Sequence, residues 1–161
     1  MINKTTKLTI SGVAIALYIV FMYFTQSIAF GQYQVRFATG LYALAYSFPF
    51  LCVPLGIANM LSNILLGGDF VNGIFGFSAG FLTTSTICLL KKITVKKFIV
   101  VFPIAIIPSI IIPIWLTFAL QIPYYLLVLS LLVGQTISAY TVGIVIIHIT
   151  ERLAKFLTHI E

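Results

Sequence analysis

The sequence predicts an all-α integral membrane protein: a six-helix transmembrane bundle forming one domain over residues 1–161. Three observations carry that reading. The chain is 61% hydrophobic and 7% charged, with a mean hydropathy of +1.16, whereas a soluble domain carries roughly 25% charged residues. Its 161 residues leave room for about six spans of roughly 20 residues joined by short loops. Its basic residues are clustered. Lys4 and Lys7 precede the first apolar stretch, and Lys91, Lys92, Lys96 and Lys97 share one short interruption. Arg152 and Lys155 follow the last stretch, and only Arg36 lies elsewhere. Cytoplasmic loops of membrane proteins collect Lys and Arg. The three clusters therefore belong on the cytoplasmic side, and each region between them crosses an even number of times. Both termini are expected inside, in a multi-pass protein of the cell membrane.

The net charge of +6 is topogenic under this reading, because the lysines flank apolar runs instead of forming a soluble basic face. No nucleic-acid partner follows from it. The first span is expected over 8–30, a run too long for the core of a cleaved signal peptide and followed by no small-residue cleavage site. Gly31-Gln32-Tyr33-Gln34-Val35-Arg36 then makes a polar external loop. Residues 37–66 are apolar but interrupted at Pro49 and Pro54. Proline lacks the backbone N–H and clashes with the preceding turn, so two short helices broken near 51–54 are expected. Parity leaves open whether they cross fully or form a re-entrant hairpin.

Gly67-Gly68-Asp69-Phe70-Val71-Asn72-Gly73 has the residue types of a second external turn. A fourth span is expected over 74–90, with small residues at Gly76, Ala79 and Gly80. After the lysine loop the chain from 98 to 149 is too long for one crossing, and Gln121-Ile122-Pro123 is the natural turn. That gives spans near 98–119 and 123–149, the first of them kinked by Pro103, Pro108 and Pro113.

No catalytic set is visible, and an enzyme is not expected. No phosphate-binding loop of the G-x-x-x-x-G-K-[ST] type occurs, so the chain does not hydrolyse ATP by that route. His148 and His159 have no paired cysteine or carboxylate, and no metal site or cofactor is expected. Asp69 is the only acid before Glu151, which leaves no pair for acid–base work. Cys52 and Cys88 read as separate, buried, inert thiols.

What remains is a set of polar residues inside apolar runs. Asn59 and Asn63, spaced i, i+4, share one helix face. Gln135, Thr136 and Ser138 lie half-way along the last span, and Asn72 lies in the second external turn. Interhelical hydrogen bonding and ligand binding both explain the amides. Trp115, Tyr124 and Tyr125 fit an interfacial belt, while Trp115, Tyr124 and Tyr140 also fit the border of a flat ligand. Arg36 beside Gln32 and Gln34 is either a solvated loop arginine or part of a lid over an outward-facing pocket. Gly12 and Ala16 on the first helix let another helix approach closely, either within the bundle or from a partner. Since the candidate pocket residues are almost all neutral, a ligand ammonium would find no partner there. A small neutral or weakly anionic heterocycle is expected instead.

With these residues in place the chain resembles the QueT family, whose members are S-components, the substrate-binding subunits of energy-coupling-factor (ECF) transporters. Gln34-Val35-Arg36-Phe37-Ala38-Thr39-Gly40-Leu41 is similar to that family's Q-[FV]-R-[IV]-x-E-A-L. Asn72-Gly73-Ile74-Phe75-Gly76 is similar to D-I-x-F-G. The run from Gly134 through Gln135 and Tyr140 to Gly143 is similar to G-E-x-x-x-x-Y-x-x-G. Thr39, Asn72 and Gln135 stand where the family usually has acids. The resemblance implies a fold of S-component type and a subunit that captures a queuosine precursor or related small heterocycle. It also implies partners: a separate transmembrane subunit, met through the Gly12 and Ala16 face, and two ATPase subunits. Two other classes stay open from the residues alone, a self-sufficient small transporter or channel and a ligand-free membrane assembly subunit.

Overall fold

The computed structural model describes residues 3–31, 34–93 and 96–158, with side chains as far as Arg152. Among these the fold is helical throughout. The first helix, α1 (Lys4–Phe24), starts where the Asn3 side chain accepts the Thr6 backbone N–H at 2.8 Å, a cap that satisfies one otherwise orphaned donor. Its buried residues Ala14, Tyr18 and Met22 recur every fourth position, so one stripe faces the bundle and the rest faces outward. A single turn, α2 (Gln26–Ala29), follows. The expected first span thus closes earlier than its apolar run suggests.

The next apolar segment departs from expectation. Residues Phe37–Ala43 form a 3-10 helix, and α3 (Leu44–Ser47) adds one α-helical turn. The chain breaks at Phe48 (φ −127°, ψ 79°), upstream of the expected break. Pro49 explains the position, since a residue before proline is pushed out of the helical region. Pro54 does not break the chain. It lies in the first turn of α4 (Cys52–Gly67), where its missing N–H has no intrahelical acceptor to lose.

The helix α4 ends at Gly68, whose φ of 66° is the left-handed conformation that glycine adopts without strain. Next come α5 (Phe70–Ile93), the short α6 (Lys97–Val100), and α7 (Phe102–Leu120), which carries Pro108 and Pro113 inside it. The expected turn follows, with Gln121 at φ 55°. The last long element is α8 (Tyr124–Ser138), a π-helical stretch Ala139–Gly143, and α9 (Ile144–Thr158).

Among the described residues, five helices are long and apolar enough to cross a membrane: Lys4–Phe24, Pro49–Gly67, Phe70–Ile93, Lys97–Leu120 and Tyr124–Arg152. They expose large apolar side chains outward, Leu8, Phe24, Ile93 and Phe118 among them, which suits lipid and not water. The segment 37–47 is too short to join that set. It lies at the centre instead, with every residue from Ala38 to Ala43 buried. A Cβ added at Gly40 would stand 2.5 Å from Val142 Cβ, so glycine is what lets this segment press against the π-helical stretch.

Contacts place the basic clusters at one end of the bundle. Lys7 lies over the Phe50 ring, Lys91 Nζ donates to the Tyr46 carbonyl at 2.6 Å, and Lys97 pairs with Glu151. Ser47 Oγ donates to Thr150 Oγ1 at 2.8 Å, tying α3 to α9 at that same end. Arg36 instead lies beside Ala29 and Asn63, away from it. The segment 37–47 therefore runs from the Arg36 side of the bundle toward the lysine end.

Among the described elements, α4 and α5 share the most extensive helix contact. Here Gly56, Gly73, Gly76 and Gly80 remove side chains from the interface, and a Cβ at Gly73 would meet Ile64 Cγ1 at 2.7 Å. Small residues permit such approach in membranes. One expectation is corrected here. Cys52 and Cys88 are free but not separate: their Sγ atoms lie 3.3 Å apart across α4 and α5, and both residues are only half-buried.

Candidate substrate site

The backbone after α2 turns inward through Gln34, a non-glycine residue held at φ 42°. Left-handed conformations cost non-glycine residues energy and persist where the surroundings demand them. The consequence is that Arg36, expected in an external loop, points into the bundle and is 0% exposed. Its Nε donates to the Ala29 carbonyl (3.4 Å), Nη1 to Asn63 Oδ1 (3.0 Å) and Nη2 to Gln34 Oε1 (3.3 Å). The guanidinium also lies 5.1 Å from the Phe30 ring centroid, within cation–π range. Every one of these acceptors is neutral. An arginine side chain does not give up its proton in proteins, so the group stays charged.

The acids are all committed or elsewhere. The chain has three Asp and Glu residues. Asp69 Oδ1 caps α5 by accepting from the Val71 and Asn72 backbone N–H groups, and Oδ2 accepts from the Trp115 indole at 2.6 Å. Glu151 pairs with Lys97 at the lysine end. Glu161 lies outside the described residues. Among those described, Arg36 has no carboxylate partner.

Around it stands a connected polar centre. Asn63 Nδ2 donates to Asn59 Oδ1 at 2.9 Å, and Asn59 Nδ2 donates to Tyr42 Oη at 2.7 Å and to the Gly76 carbonyl at 2.9 Å. The Tyr42 and Tyr18 rings stack with centroids 5.8 Å apart, their hydroxyls 3.4 Å from each other. On the other side Thr39 Oγ1 donates to Gln135 Oε1 at 2.6 Å and also lies 3.0 Å from Ser138 Oγ. Ser138 Oγ in turn donates to the Arg36 carbonyl at 2.7 Å. Two buried atoms in this region have no hydrogen-bond partner: Gln135 Nε2, a donor, and Asn72 Oδ1, an acceptor. Asn72 lies one turn before Gly76 on α5, on the face that Asn59 and Asn63 touch. An orphaned buried polar atom costs about 1–3 kcal/mol, and Gln135 is tied to the Arg36 backbone through Thr39 and Ser138.

Of the residues singled out from the sequence, Gln34, Arg36, Asn63 and Asn59 are joined by hydrogen bonds, Gln135 is linked to the Arg36 backbone through Thr39 and Ser138, and Asn72 is buried one turn before Gly76. Trp115 adjoins through Asp69. Tyr124 and Tyr140 do not converge: Tyr124 is exposed and donates to the Ile110 carbonyl at 3.0 Å, while Tyr140 packs 4.4 Å from the Phe98 ring. Gln32 and His159 lie outside the described residues. His148 is exposed beside the Ile144 carbonyl, and no metal-competent cluster occurs among the described residues. Gly12 and Ala16 lie on the outer surface of α1, and nothing stands within 4 Å of a Cβ added at Gly12. Their small side chains serve no packing inside the described chain. Sequence reasoning missed Tyr18, Tyr42 and the role of Thr39. Only the fourfold spacing of Tyr18 with Ala14 and Met22 could have flagged one of them.

A helical bundle with apolar side chains facing outward and a buried polar centre around one arginine is the frame of a multi-pass membrane protein. A family model described as QueT transporter matches residues 8–152, and the chain belongs to that family, the S-component family of ECF transporters. No curated protein and no solved structure matches the chain.

Proposed function

We propose that the chain is the membrane-embedded substrate-binding subunit of an ECF-type micronutrient importer. The observation that supports this most is the buried polar centre around Arg36 in an otherwise apolar bundle, because ionisable groups inside membranes are costly and usually functional. The substrate is a small, flat, neutral or weakly anionic heterocycle, with a queuosine precursor lacking an amine as first candidate. Gln34, Arg36, Asn59, Asn63, Asn72 and Gln135 surround it, and Trp115 borders it. A separate transmembrane subunit docks on the Gly12 and Ala16 face, and two ATPase subunits drive reorientation and release.

The short segment 37–47 supplies a sixth crossing, so both termini and the lysine loop face the cytoplasm while Asp69 and Gln121 face outward. Running from Arg36 to Lys91's end, that segment has the direction such a crossing needs, and the positive-inside rule fixes the sign. Because Asp69 is committed to capping α5, Gln121 is the better outer reporter. With Cys52 and Cys88 replaced, Gln121→Cys should label with an impermeant maleimide on intact cells and Lys96→Cys should label only after permeabilisation. Labelling of Lys96→Cys from outside would overturn the arrangement.

Reconstitution tests the function itself. Liposomes holding this chain with the transmembrane and ATPase subunits of its own host should take up labelled precursor only with ATP inside the appropriate compartment. Uptake by the chain alone would make it a self-sufficient transporter. Absence of any ligand-induced thermal shift across a micronutrient panel would make it an assembly subunit.

A further inference from the structure

We infer that Arg36 is an anion subsite, so that the ligand carries a carboxylate or an equivalent planar anion. This rests on the proposed function and names the class of its substrate. A guanidinium has five N–H groups, and among the described residues three are engaged, all on neutral acceptors: the Ala29 carbonyl, Asn63 Oδ1 and Gln34 Oε1. Two of those bonds are long, at 3.4 and 3.3 Å, so the group is held but not saturated. Charge-assisted bonds run shorter, about 2.7–2.9 Å, and planar carboxylates engage the guanidinium fork at two points. A buried charge with no counter-charge is strongly disfavoured. The protein supplies no carboxylate within the described residues, since both oxygens of Asp69 are taken and Glu151 is paired at the other end.

The rest of the ligand is outlined by the two orphans. Gln135 Nε2 requires an acceptor and Asn72 Oδ1 requires a donor. A heterocycle with one ring N–H and one ring acceptor meets both, and its carboxylate takes the two remaining guanidinium N–H groups. A ligand ammonium would instead add a second positive charge beside an unpaired first. A nitrile would accept from Arg36 but leave its charge bare. The order of preference is therefore carboxylate, then nitrile, then aminomethyl.

The experiment is calorimetry on the purified full chain with three deazaguanines that differ only in bearing a carboxylate, a nitrile or an aminomethyl group at the same carbon. The carboxylate should bind roughly tenfold or more tightly than the nitrile, the size of one charge-assisted bond. Gln34→Glu is the diagnostic variant, because it replaces a neutral acceptor of Arg36 by an acid of the same shape. It should erase the carboxylate preference and improve the aminomethyl compound, with thermal stability kept or raised. Tighter binding of the nitrile or aminomethyl form by the unaltered protein would overturn the anion subsite and leave the heterocycle reading standing. So would an unchanged ranking in Gln34→Glu. Binding of none of the three would overturn the heterocycle reading and the inference together.

Discussion

Gly76→Ala is expected to unfold earlier and to lose most ligand binding, although it adds a single methyl group. That Cβ would stand 2.5 Å from Asn63 Nδ2 and 3.2 Å from Asn59 Cγ and Oδ1. Neither amide can retreat freely. Asn63 accepts from Arg36 and donates to Asn59, and Asn59 donates both to Tyr42 and to the Gly76 carbonyl itself. Moving them breaks the shell that holds the guanidinium. Overpacking of a tight interior costs about 2 kcal/mol, or roughly 6 °C in melting temperature for a chain of this size. Binding should fall roughly tenfold or more, since each displaced bond to a charged group is worth about 1.5–3 kcal/mol. Thermal unfolding followed by fluorescence of the single tryptophan, Trp115, and calorimetry with the deazaguanine panel measure the two effects. Unchanged melting and unchanged affinity would show that the close approach of α5 to the amides is not needed by the site.

Gly12→Leu and Ala16→Leu should do the opposite. Both positions face outward, and a side chain at Gly12 meets nothing of the protein within 4 Å. Melting temperature and ligand affinity should stay within error. ATP-driven uptake and co-purification with the transmembrane subunit should fall to background, because bulky groups hold apart helices that need backbone proximity. Parallel loss of binding and uptake would assign these residues to the chain's own folding.

The contrast between these two glycines shows what could be read from the sequence and what could not. The x-x-x spacing of Gly12 and Ala16 was visible on a helix whose lipid-facing side tolerates almost any apolar residue. Gly76 was visible only as one small residue among several, since its importance depends on two asparagines of another helix. The long spans, the turn at Gln121 and the sharing of one end by the lysines follow from apolar length and charge placement, which are local properties. The segment 37–47 is expected as a short helix, but with its break at 51–54, because composition does not record that φ and ψ already leave the helical region at Phe48, just before Pro49. Arg36 shows the deepest limit. A charged residue in a polar stretch reads as solvated, and only the left-handed turn at Gln34 directs it inward. The same burial separates Asn59, Asn63 and Gln135, which are enclosed, from Tyr124 and Tyr140, which are also polar but face the bundle's outer surface and Phe98.

The bare guanidinium of Arg36 also has an electrical consequence. A charge buried between the two faces of a membrane sits in the transmembrane field, and moving it across costs or releases at most about 2.3 kcal/mol per 100 mV. On the reading proposed above, a site loaded with a monovalent anion carries no net charge, so its inward reorientation is indifferent to the membrane potential. The unloaded site carries one positive charge and must return outward against an inside-negative voltage. The voltage-sensitive half of the cycle is then the return, and the electrical work of concentrating an anion inside the cell falls on the step that resets the protein and not on the step that delivers its cargo.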